Sequence, residues 1–243
     1  MRFDIITIFP KIFDSYLNES ILKRSQDKKI IQIKTHNLRD FAKHKKARPT
    51  ERRQSFGRVD DKPYGGGAGM VMMAEPIVKA VDKIRKNIKG NSKVILFSAK
   101  GKFFNQKMAY DLAKKYKNLI FISGRYEGID ERVKKIIGNW KLEIEELSIG
   151  PYVLTDGDVA AMIVISAVSR LIPGTINFKS LTEESYFNSI IQSEAKKGVK
   201  GVEYPHYTRP EIIVYKGKKY KVPKVLLSGN HEKISQWRKS KIK

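Results

Sequence analysis

Short apolar segments alternate with helical patterns in the first part of the chain, and this alternation limits the fold more than any other feature. Four segments rich in β-branched or aromatic residues predict strands: Phe3–Phe9, Ile30–Asn37, Val94–Ser98 and Leu119–Ser123. Apolar residues at three- to four-residue spacing predict helices over Pro76–Lys89, Asn105–Lys117 and Asp158–Leu171. Alternating strands and helices build a mostly parallel sheet, so we predict an α/β fold.

The last third of the chain has a different pattern. From Thr175 to Tyr204 the sequence is polar and lacks sustained periodicity, which predicts an interdomain linker. After it, two β-type runs lie on either side of Lys216–Lys219 and predict a hairpin, and Asn230 can cap a final helix with Ile234 and Trp237. We therefore predict a first domain over residues 1–174, a linker over 175–204 and a small C-terminal domain over 205–243.

The charge of the chain indicates a polyanionic partner. Lys and Arg number 49 against 25 Asp and Glu, for a net charge of +24. Nucleic acid is the first candidate, because each neutralised phosphate releases counterions, and an anionic membrane surface is the second. No signal peptide is visible, and the longest apolar run, Val159–Val168, is about half of what a membrane helix needs. We expect a cytoplasmic protein without membrane contact; the absence of cysteine excludes disulfides and thiolate metal sites.

Two segments concentrate the positive charge beside aromatic residues. Arg39–Arg58 holds eight Lys and Arg against two acids, with Phe41 and Phe56 between them. From Ile190 to the end, fourteen Lys and Arg face four acids, together with several tyrosines and Trp237. A solvated surface usually balances its charges, so this pattern favours phosphate contact and base stacking.

Glycine-bearing loops are the candidates for a ligand site. Tyr64–Met70 contains four glycines, but no Gly-Lys-Ser/Thr completes a P-loop, and a structural turn is the alternative. Ser98–Gly101 and Gly124–Arg132 each follow a predicted strand, at the edge where open α/β sheets bind ligands, and Ser148–Asp158 precedes a helix. These three loops can form one pocket, and composition leaves open whether it holds a nucleotide, a nucleoside sulfonium or nothing.

Several motifs, in order along the chain, are similar to those of the bacterial tRNA (guanine-N1)-methyltransferase family of the SPOUT superfamily. They are Asp60–Met70, Gly124–Arg132, Ser148–Leu154, Ser169–Gly174, Thr182–Tyr186, Pro205–Pro210 and Leu227–His231. The resemblance implies methylation of guanine N1 at tRNA position 37 by S-adenosylmethionine, to give 1-methylguanosine. It implies a SPOUT fold with a deep trefoil knot, a small, mainly helical C-terminal domain that binds tRNA, and a homodimer that holds the anticodon stem-loop.

The resemblance also assigns site residues. It places the cofactor against three loops, at Phe97, Ser98, Gly101, Gly124, Tyr126, Glu127, Gly128, Ile149, Gly150, Pro151, Tyr152, Val153, Leu154 and Gly157. Arg170 matches the arginine that stabilises charge on guanine O6, and Glu184 takes the place of the aspartate that serves as general base, with Glu203 in reserve. The family implies a magnesium requirement, but the four histidines lack metal-ligand spacing and we predict no metal site in the protein.

The chain departs from the family pattern in Ser98–Gly101, in Thr155–Asp158 and at two further positions. Glu184 is one methylene longer than the aspartate, Pro151 replaces an Asp, and Asp156 stands where a Gly is usual, which puts the local backbone in question. Two other functions remain open at this point. One is a SPOUT enzyme with another RNA target, and the other is a non-catalytic RNA-binding protein that kept the fold.

Overall fold

The computed structural model describes residues 1–42, 57–177 and 204–241. The chain divides into two compact units, Met1–Phe178 and Lys179–Lys243. The first unit is an α/β layer structure, as the alternation of the sequence predicts. Its strands are β1 (Arg2–Thr7), β2 (Gln32–Asn37), β3 (Asp60–Asp61), β4 (Val71–Met72), β5 (Ser92–Phe103), β6 (Asn118–Ile122) and β7 (Glu143–Ser148). Its α-helices are α1 (Asp14–Leu17), α2 (Ser20–Asp27), α3 (Ala74–Lys86), α4 (Gln106–Lys115), α5 (Arg132–Gly138) and α6 (Asp158–Arg170).

A five-stranded parallel sheet in the order β2-β1-β6-β5-β7 forms the centre of this unit. Side chains alternate between its two faces. Phe3, Ile95 and Phe121 pack with α4 and α6 on one face, whereas Ile120 and Ile122 pack with α3 and α5 on the other. Because all five strands are parallel, their carboxyl ends share one edge and their amino ends share the opposite edge.

The structure extends the predicted β5 and adds a strand that the sequence did not reveal. β5 continues to Phe103, and its pairing with β7 shifts between Phe97 and Lys102, so the predicted loop at Ser98–Gly101 is instead a bulge within the strand. A Cβ on Gly101 would lie 2.6 Å from backbone atoms of Glu146 and Leu147, so only glycine fits this approach. β7 was not predicted, because three of its six residues are glutamates.

The described part of the second unit contains a hairpin and two helices. The hairpin consists of β8 (Ile212–Tyr215) and β9 (Lys218–Lys221), followed by α7 (Lys224–Leu227) and α8 (His231–Lys241). The predicted four-residue turn is wrong: Lys216 and Gly217 alone form it, both with positive φ, which suits the twist of a two-residue hairpin. The predicted cap is confirmed, since Asn230 Oδ1 accepts a hydrogen bond from Lys233 N at 3.0 Å.

The predicted limits of the interdomain linker and of the first basic segment stay predictions. Residues 178–203, which contain most of the predicted linker, and residues 43–56, which contain most of the first basic segment, lie outside the described residues. No helix in the described ranges is long and apolar enough to span a membrane.

Candidate functional site

A cavity of about 1660 Å³ opens at the carboxyl edge of the sheet. Eleven of the fourteen predicted cofactor residues line it: Phe97, Ser98, Gly124, Tyr126, Glu127, Gly128, Ile149, Tyr152, Val153, Leu154 and Gly157. The bulge within β5 and the loops that follow β6 and β7 therefore meet at one place. The predicted residues Gly101, Gly150 and Pro151 do not line the cavity.

Gly101 and Gly150 have structural roles beside the cavity instead. Gly101 allows β5 to pass close to the backbone of β7, as described above. A Cβ on Gly150 would overlap the ring of Tyr152, whose hydroxyl donates a hydrogen bond to Ile149 O at 3.1 Å. Gly150 thus sets the position of a cavity residue without lining the cavity itself.

Residues on either side of the glycine run supply a further wall that the prediction of cofactor residues omitted, while residues 65–70 do not line the cavity. Residues 61–64 and 71–75 line the cavity, and Tyr64 is 99% exposed there. β4 is tied to the loop after β6, because Met72 N donates to Gly128 O at 2.9 Å and Asp130 N donates to Met72 O at 3.0 Å. The signal for this wall was the Asp60–Met70 motif, which was noted in the sequence but given no place in the site.

Arg125 joins the loop after β6 to the start of α6. Its Nη2 donates to Asp158 Oδ2 at 2.7 Å and lies 3.2 Å from Asp156 Oδ2, and its guanidinium stacks on Phe9 at 4.4 Å. Asp158 is fully buried and Arg125 is 18% exposed at the side chain. Among the described buried side-chain atoms, Arg125 Nε and Asp158 Oδ1 have no hydrogen-bond partner. The Asp158 carboxylate therefore depends on its bond from Arg125 Nη2, whereas Arg125 also lies against Asp156.

Asp156 fits its position without distorting the backbone. Its Oδ1 accepts a hydrogen bond at 2.9 Å from the backbone N of Asp158, the first residue of α6. It is not among the residues with positive φ, so the position does not require the glycine that the family usually has there. The Asp156 side chain therefore holds the loop and the start of α6 together, and the backbone at this position is not strained.

Close crossing of the chain marks the centre of the site. Gly157 N donates to Gly124 O at 2.8 Å, and a Cβ on Gly157 would lie 2.8 Å from Gly124 N and 3.1 Å from the Cα of Ser123. Tyr126, in the same loop, has a φ of 60°, a conformation that non-glycine residues adopt uncommonly. The segment before α6 therefore passes directly against the loop after β6.

Charged side chains surround the mouth of the cavity. Glu131 accepts hydrogen bonds from Lys100 and Lys134, each at 2.6 Å, and these bonds lower the pKa of the Glu131 carboxyl. Hydrogen bonds from Arg132 likewise lower the pKa of the Asp130 carboxyl. These carboxylates stay ionised at neutral pH, and the described residues contain no group of three or more His, Cys, Asp or Glu side chains that could hold a metal ion.

The structure does not bring Arg170 to this cavity. Arg170 is the last residue of α6, which begins at the cavity with Asp158 and is 13 residues long, so about 20 Å of helix separates the two ends. Glu184 and Glu203 lie outside the described residues. Within one subunit, the predicted cofactor loops and the predicted catalytic arginine are therefore at opposite ends of the same helix.

The second unit presents basic and aromatic side chains. Ile213, Val214, Tyr215 and Tyr220 of the hairpin are each more than half exposed. Arg238 of α8 stacks on Tyr204 at 4.7 Å, and Tyr207 contacts Trp237 with 6.3 Å between ring centroids. Exposed rings next to the lysines of the hairpin are suited to stacking on unpaired bases.

Comparison with known proteins identifies close relatives over almost the full chain. The family model described as tRNA (guanine-1)-methyltransferase TrmD matches residues 1–243. A tRNA (guanine-N(1)-)-methyltransferase of Carboxydothermus hydrogenoformans is 48% identical over 239 residues, which are 98% of this chain and 81% of that protein. Two further proteins of the same name are similar to this chain. The protein of Dictyoglomus turgidum is 48% identical over 240 residues, which are 98% of this chain and 84% of that protein. The protein of Clostridium novyi is 46% identical over 244 residues, which are 99% of this chain and 86% of that protein.

Proposed function

The chain belongs to the tRNA (guanine-1)-methyltransferase family, and from this premise we propose that it methylates the guanine at tRNA position 37, beside the anticodon. The chain is a methyltransferase that acts on guanine N1 of tRNA, and its family implies S-adenosylmethionine as the methyl donor. The observation that carries the assignment of the site is the cavity in which eleven of the fourteen predicted cofactor residues meet.

The residues of the cavity fit S-adenosylmethionine. Leu96, Phe97, Ile149 and Leu154 give an apolar surface for an adenine ring. Gly128, with φ of 130° and no atom within 4 Å of an added Cβ, leaves its backbone open to a ligand. The cavity exceeds the roughly 300–1,000 Å³ of a site for one small molecule, so it leaves room for a second reactant.

Two side chains carry the proposed chemistry. S-adenosylmethionine supplies a methyl group that is already activated on a sulfonium, so no covalent protein intermediate is needed. Guanine N1 holds a proton at neutral pH, and Glu184 is proposed to remove it. Negative charge then develops at O6, where Arg170 is proposed to stabilise it.

A homodimer with a shared active site reconciles these roles with the structure. Because Arg170 lies about 20 Å along α6 from the cavity of its own chain, we infer that it acts at the cavity of a partner subunit. Exposed apolar side chains support the dimer. Val159 and Ile163 share one face of α6 and are each 40% exposed, and Phe9, Ile12 and Tyr16, in the segment between β1 and α2, are 40–49% exposed. Monomeric proteins seldom leave large apolar patches uncovered.

The trefoil knot, the domain limits and the tRNA contacts complete the proposal. The close crossing of Gly157 against Gly124 supports a knot at residues 124–157. The described hairpin and α8 support a tRNA-binding domain over 205–243, which we propose holds the anticodon stem-loop. The magnesium requirement and the cytoplasmic location stay predictions.

One assay tests the proposed function. The protein is incubated with labelled S-adenosylmethionine and unmodified tRNA transcripts that carry either G or A at position 37, with and without magnesium, and the product is mapped. We expect label only in the G37 transcript, as 1-methylguanosine. Methylation of another nucleotide would refute position 37 as the target. If neither transcript were labelled, the proposed methyltransferase activity would be refuted.

Subunit complementation tests the shared site. Arg170→Ala and Glu184→Gln chains, each inactive alone, are mixed under conditions of subunit exchange. If the two residues serve the same active site from different subunits, activity returns in the heterodimers. Failure to recover activity after verified exchange would mean that Arg170 and Glu184 act from the same subunit or that the site is not shared.

A further inference from the structure

A row of lysines lies at the amino edge of the sheet, opposite the cavity. The connections that lead into β2, β5, β6 and β7 span residues 28–31, 87–91, 116–117 and 139–142. Together they contain five lysines and no acidic residue: Lys28, Lys29, Lys89, Lys117 and Lys141. All five are exposed, and we call them the amino-edge lysines.

Backbone contacts bring these connections together. Lys117 N donates to Asn91 O at 2.9 Å, and Asn118 Nδ2 donates to Lys89 O at 3.0 Å. The amino group of Met1 donates to Ile30 O at 2.8 Å, next to Lys29. Across the five strands, at about 4.8 Å per strand, the row extends over roughly 19 Å.

Two acids, Asp27 and Glu143, lie close in sequence to Lys28 and Lys141, but the described ion pairs include none of the amino-edge lysines. Nearby ion pairs engage other lysines, such as Lys86 with Asp82 and Lys93 with Glu145. In residues 1–42, 57–177 and 204–241, no carboxylate lies within 4.0 Å of any of the five. The positive charge of this edge therefore remains available to a partner.

Lys28 is the C-cap residue of α2, but helix dipoles do not account for the other lysines of the row. A cation stabilises a helix from within its last turn, but Lys89, Lys117 and Lys141 lie beyond the ends of α3, α4 and α5. Lys29 and Lys141 have φ of 57° and 56°, where glycine or asparagine is less strained. Lysine at these two positions has a conformational cost that the fold alone does not require.

We propose that the amino-edge lysines form a second RNA-binding surface, which holds phosphates of the tRNA backbone while the target guanine occupies a cavity of the dimer. This inference rests on the proposed function, because it takes tRNA as the partner. A row of about 19 Å can contact several phosphates, which a mononucleotide does not offer. No large exposed apolar side chain of the described residues lies in these connections, so the edge lacks the groups that insert into a lipid surface.

The position of Arg170 supports the same surface. The segment that follows α6 returns to this edge, because a Cβ on Gly174 would lie 3.1 Å from Ile30 Cδ1, next to Lys29. Arg170 is thus on the side of the subunit where the amino-edge lysines lie. An RNA whose target base is near Arg170 would have its adjacent backbone within reach of this row.

The test compares two variants that lose the same charge. The edge variant combines Lys29→Asn, Lys117→Gln and Lys141→Asn, with asparagine chosen because it tolerates a positive φ. The control variant combines Lys23→Gln, Lys34→Gln and Lys107→Gln, at three exposed positions outside the row. Binding of an unmodified tRNA transcript is measured from 50 to 300 mM salt, with S-adenosylmethionine affinity and thermal melting as checks on folding.

The logarithm of the tRNA association constant K falls linearly with the logarithm of the salt concentration. We expect the steepness of this fall to decrease by about 2–3 in the edge variant and by less than 1 in the control variant. KM for tRNA should rise in the edge variant while kcat at saturating tRNA and cofactor affinity stay near those of the unmodified chain. Equal slopes and affinities in the two variants would overturn the proposal. So would a loss of binding to phosphatidylserine vesicles with no change in tRNA binding. The proposed function fails separately, if the unmodified chain does not methylate guanine N1 in tRNA.

Discussion

The pair formed by Arg125 and Asp158 predicts an unequal response to removal of either partner. Arg125→Met leaves Asp158 fully buried without its donor, and Asp158 Oδ1 already lacks a partner. Asp158→Asn leaves Arg125 with Asp156 at 3.2 Å and with the ring of Phe9. The arginine variant should therefore lose more stability than the aspartate variant.

The structure sets approximate magnitudes for this difference. Removal of one partner from a buried ion pair costs about 3–5 kcal/mol, and the full burial of Asp158 places Arg125→Met in that range. Arg125 is 18% exposed and keeps a second carboxylate, so Asp158→Asn should cost about 1–3 kcal/mol. For a unit of this size, a difference of about 2 kcal/mol corresponds to roughly 4–8 °C in melting temperature.

Tryptophan fluorescence can follow the first unit alone. The chain has two tryptophans, Trp140 in the first unit and Trp237 in the second. In a Trp237→Phe background, urea and thermal unfolding are recorded from Trp140 for the parent, the two single variants and the double variant. The double variant should be less destabilised than the sum of the singles, because no buried carboxylate is left without a partner.

A different order of stabilities would refute this reasoning. If Asp158→Asn costs as much as Arg125→Met, or if both cost less than about 1 kcal/mol, the pair does not hold the loop after β6 against α6. Cofactor affinity gives a second readout. The loop after β6 and the segment that leads into α6 both line the cavity, so their separation should weaken the binding of S-adenosylmethionine.

Three further predictions follow from single sites. Gly101→Ala should destabilise the first unit by about 1–3 kcal/mol, measured by urea unfolding, because its Cβ would overlap the backbone of β7; an unchanged midpoint would contradict the close approach. Gly150→Val should weaken S-adenosylmethionine binding in calorimetry by displacing Tyr152, and restoration by a second change, Tyr152→Ala, would separate displacement from direct contact. Burial raises the pKa of the Asp4 carboxyl, but hydrogen bonds from His36 and Arg2 outweigh this effect and hold the pKa below its usual value of 3.8. The stability that Asp4 contributes is therefore present above about pH 4 and is lost as the pH falls below it. Thermal melts from pH 6 to 2 should fall less steeply for Asp4→Asn than for the parent, and parallel curves would refute this assignment.

The central strands β1 and β6 were predictable because they are buried on both faces. Segments such as Leu119–Ser123 have no charged residue, and every residue of β6 is buried. β7 escaped detection because it lies at the edge, where Glu143 and Glu145 pair with Lys93 instead of packing in a core. A strand stabilised by cross-strand ion pairs carries no apolar periodicity for the sequence to show.

The sequence predicted which loops form the candidate site. It did not predict which residues of those loops face the cavity. Glycine-bearing loops after parallel strands must meet at the carboxyl edge, and they do. Which glycine faces the ligand depends on contacts that the glycine pattern does not show. Gly101 faces β7, which is far away in the sequence, whereas Gly150 faces the ring of Tyr152, two residues along the chain.

Asp156 shows how a departure from a family pattern can preserve a site. Glycine at this position would leave Asp158 N without the acceptor that Asp156 Oδ1 supplies at 2.9 Å, and Arg125 with one carboxylate fewer. Because the backbone here does not need positive φ, the aspartate adds both contacts without strain. The loop after β7 is therefore fixed at its carboxyl end by a side chain, and its cavity residues, Ile149, Tyr152, Val153 and Leu154, lie between that fixed point and the end of the strand. A departure that tightens the loop in this way is expected to lower the ordering cost of cofactor binding and to leave the chemistry at guanine N1 unchanged.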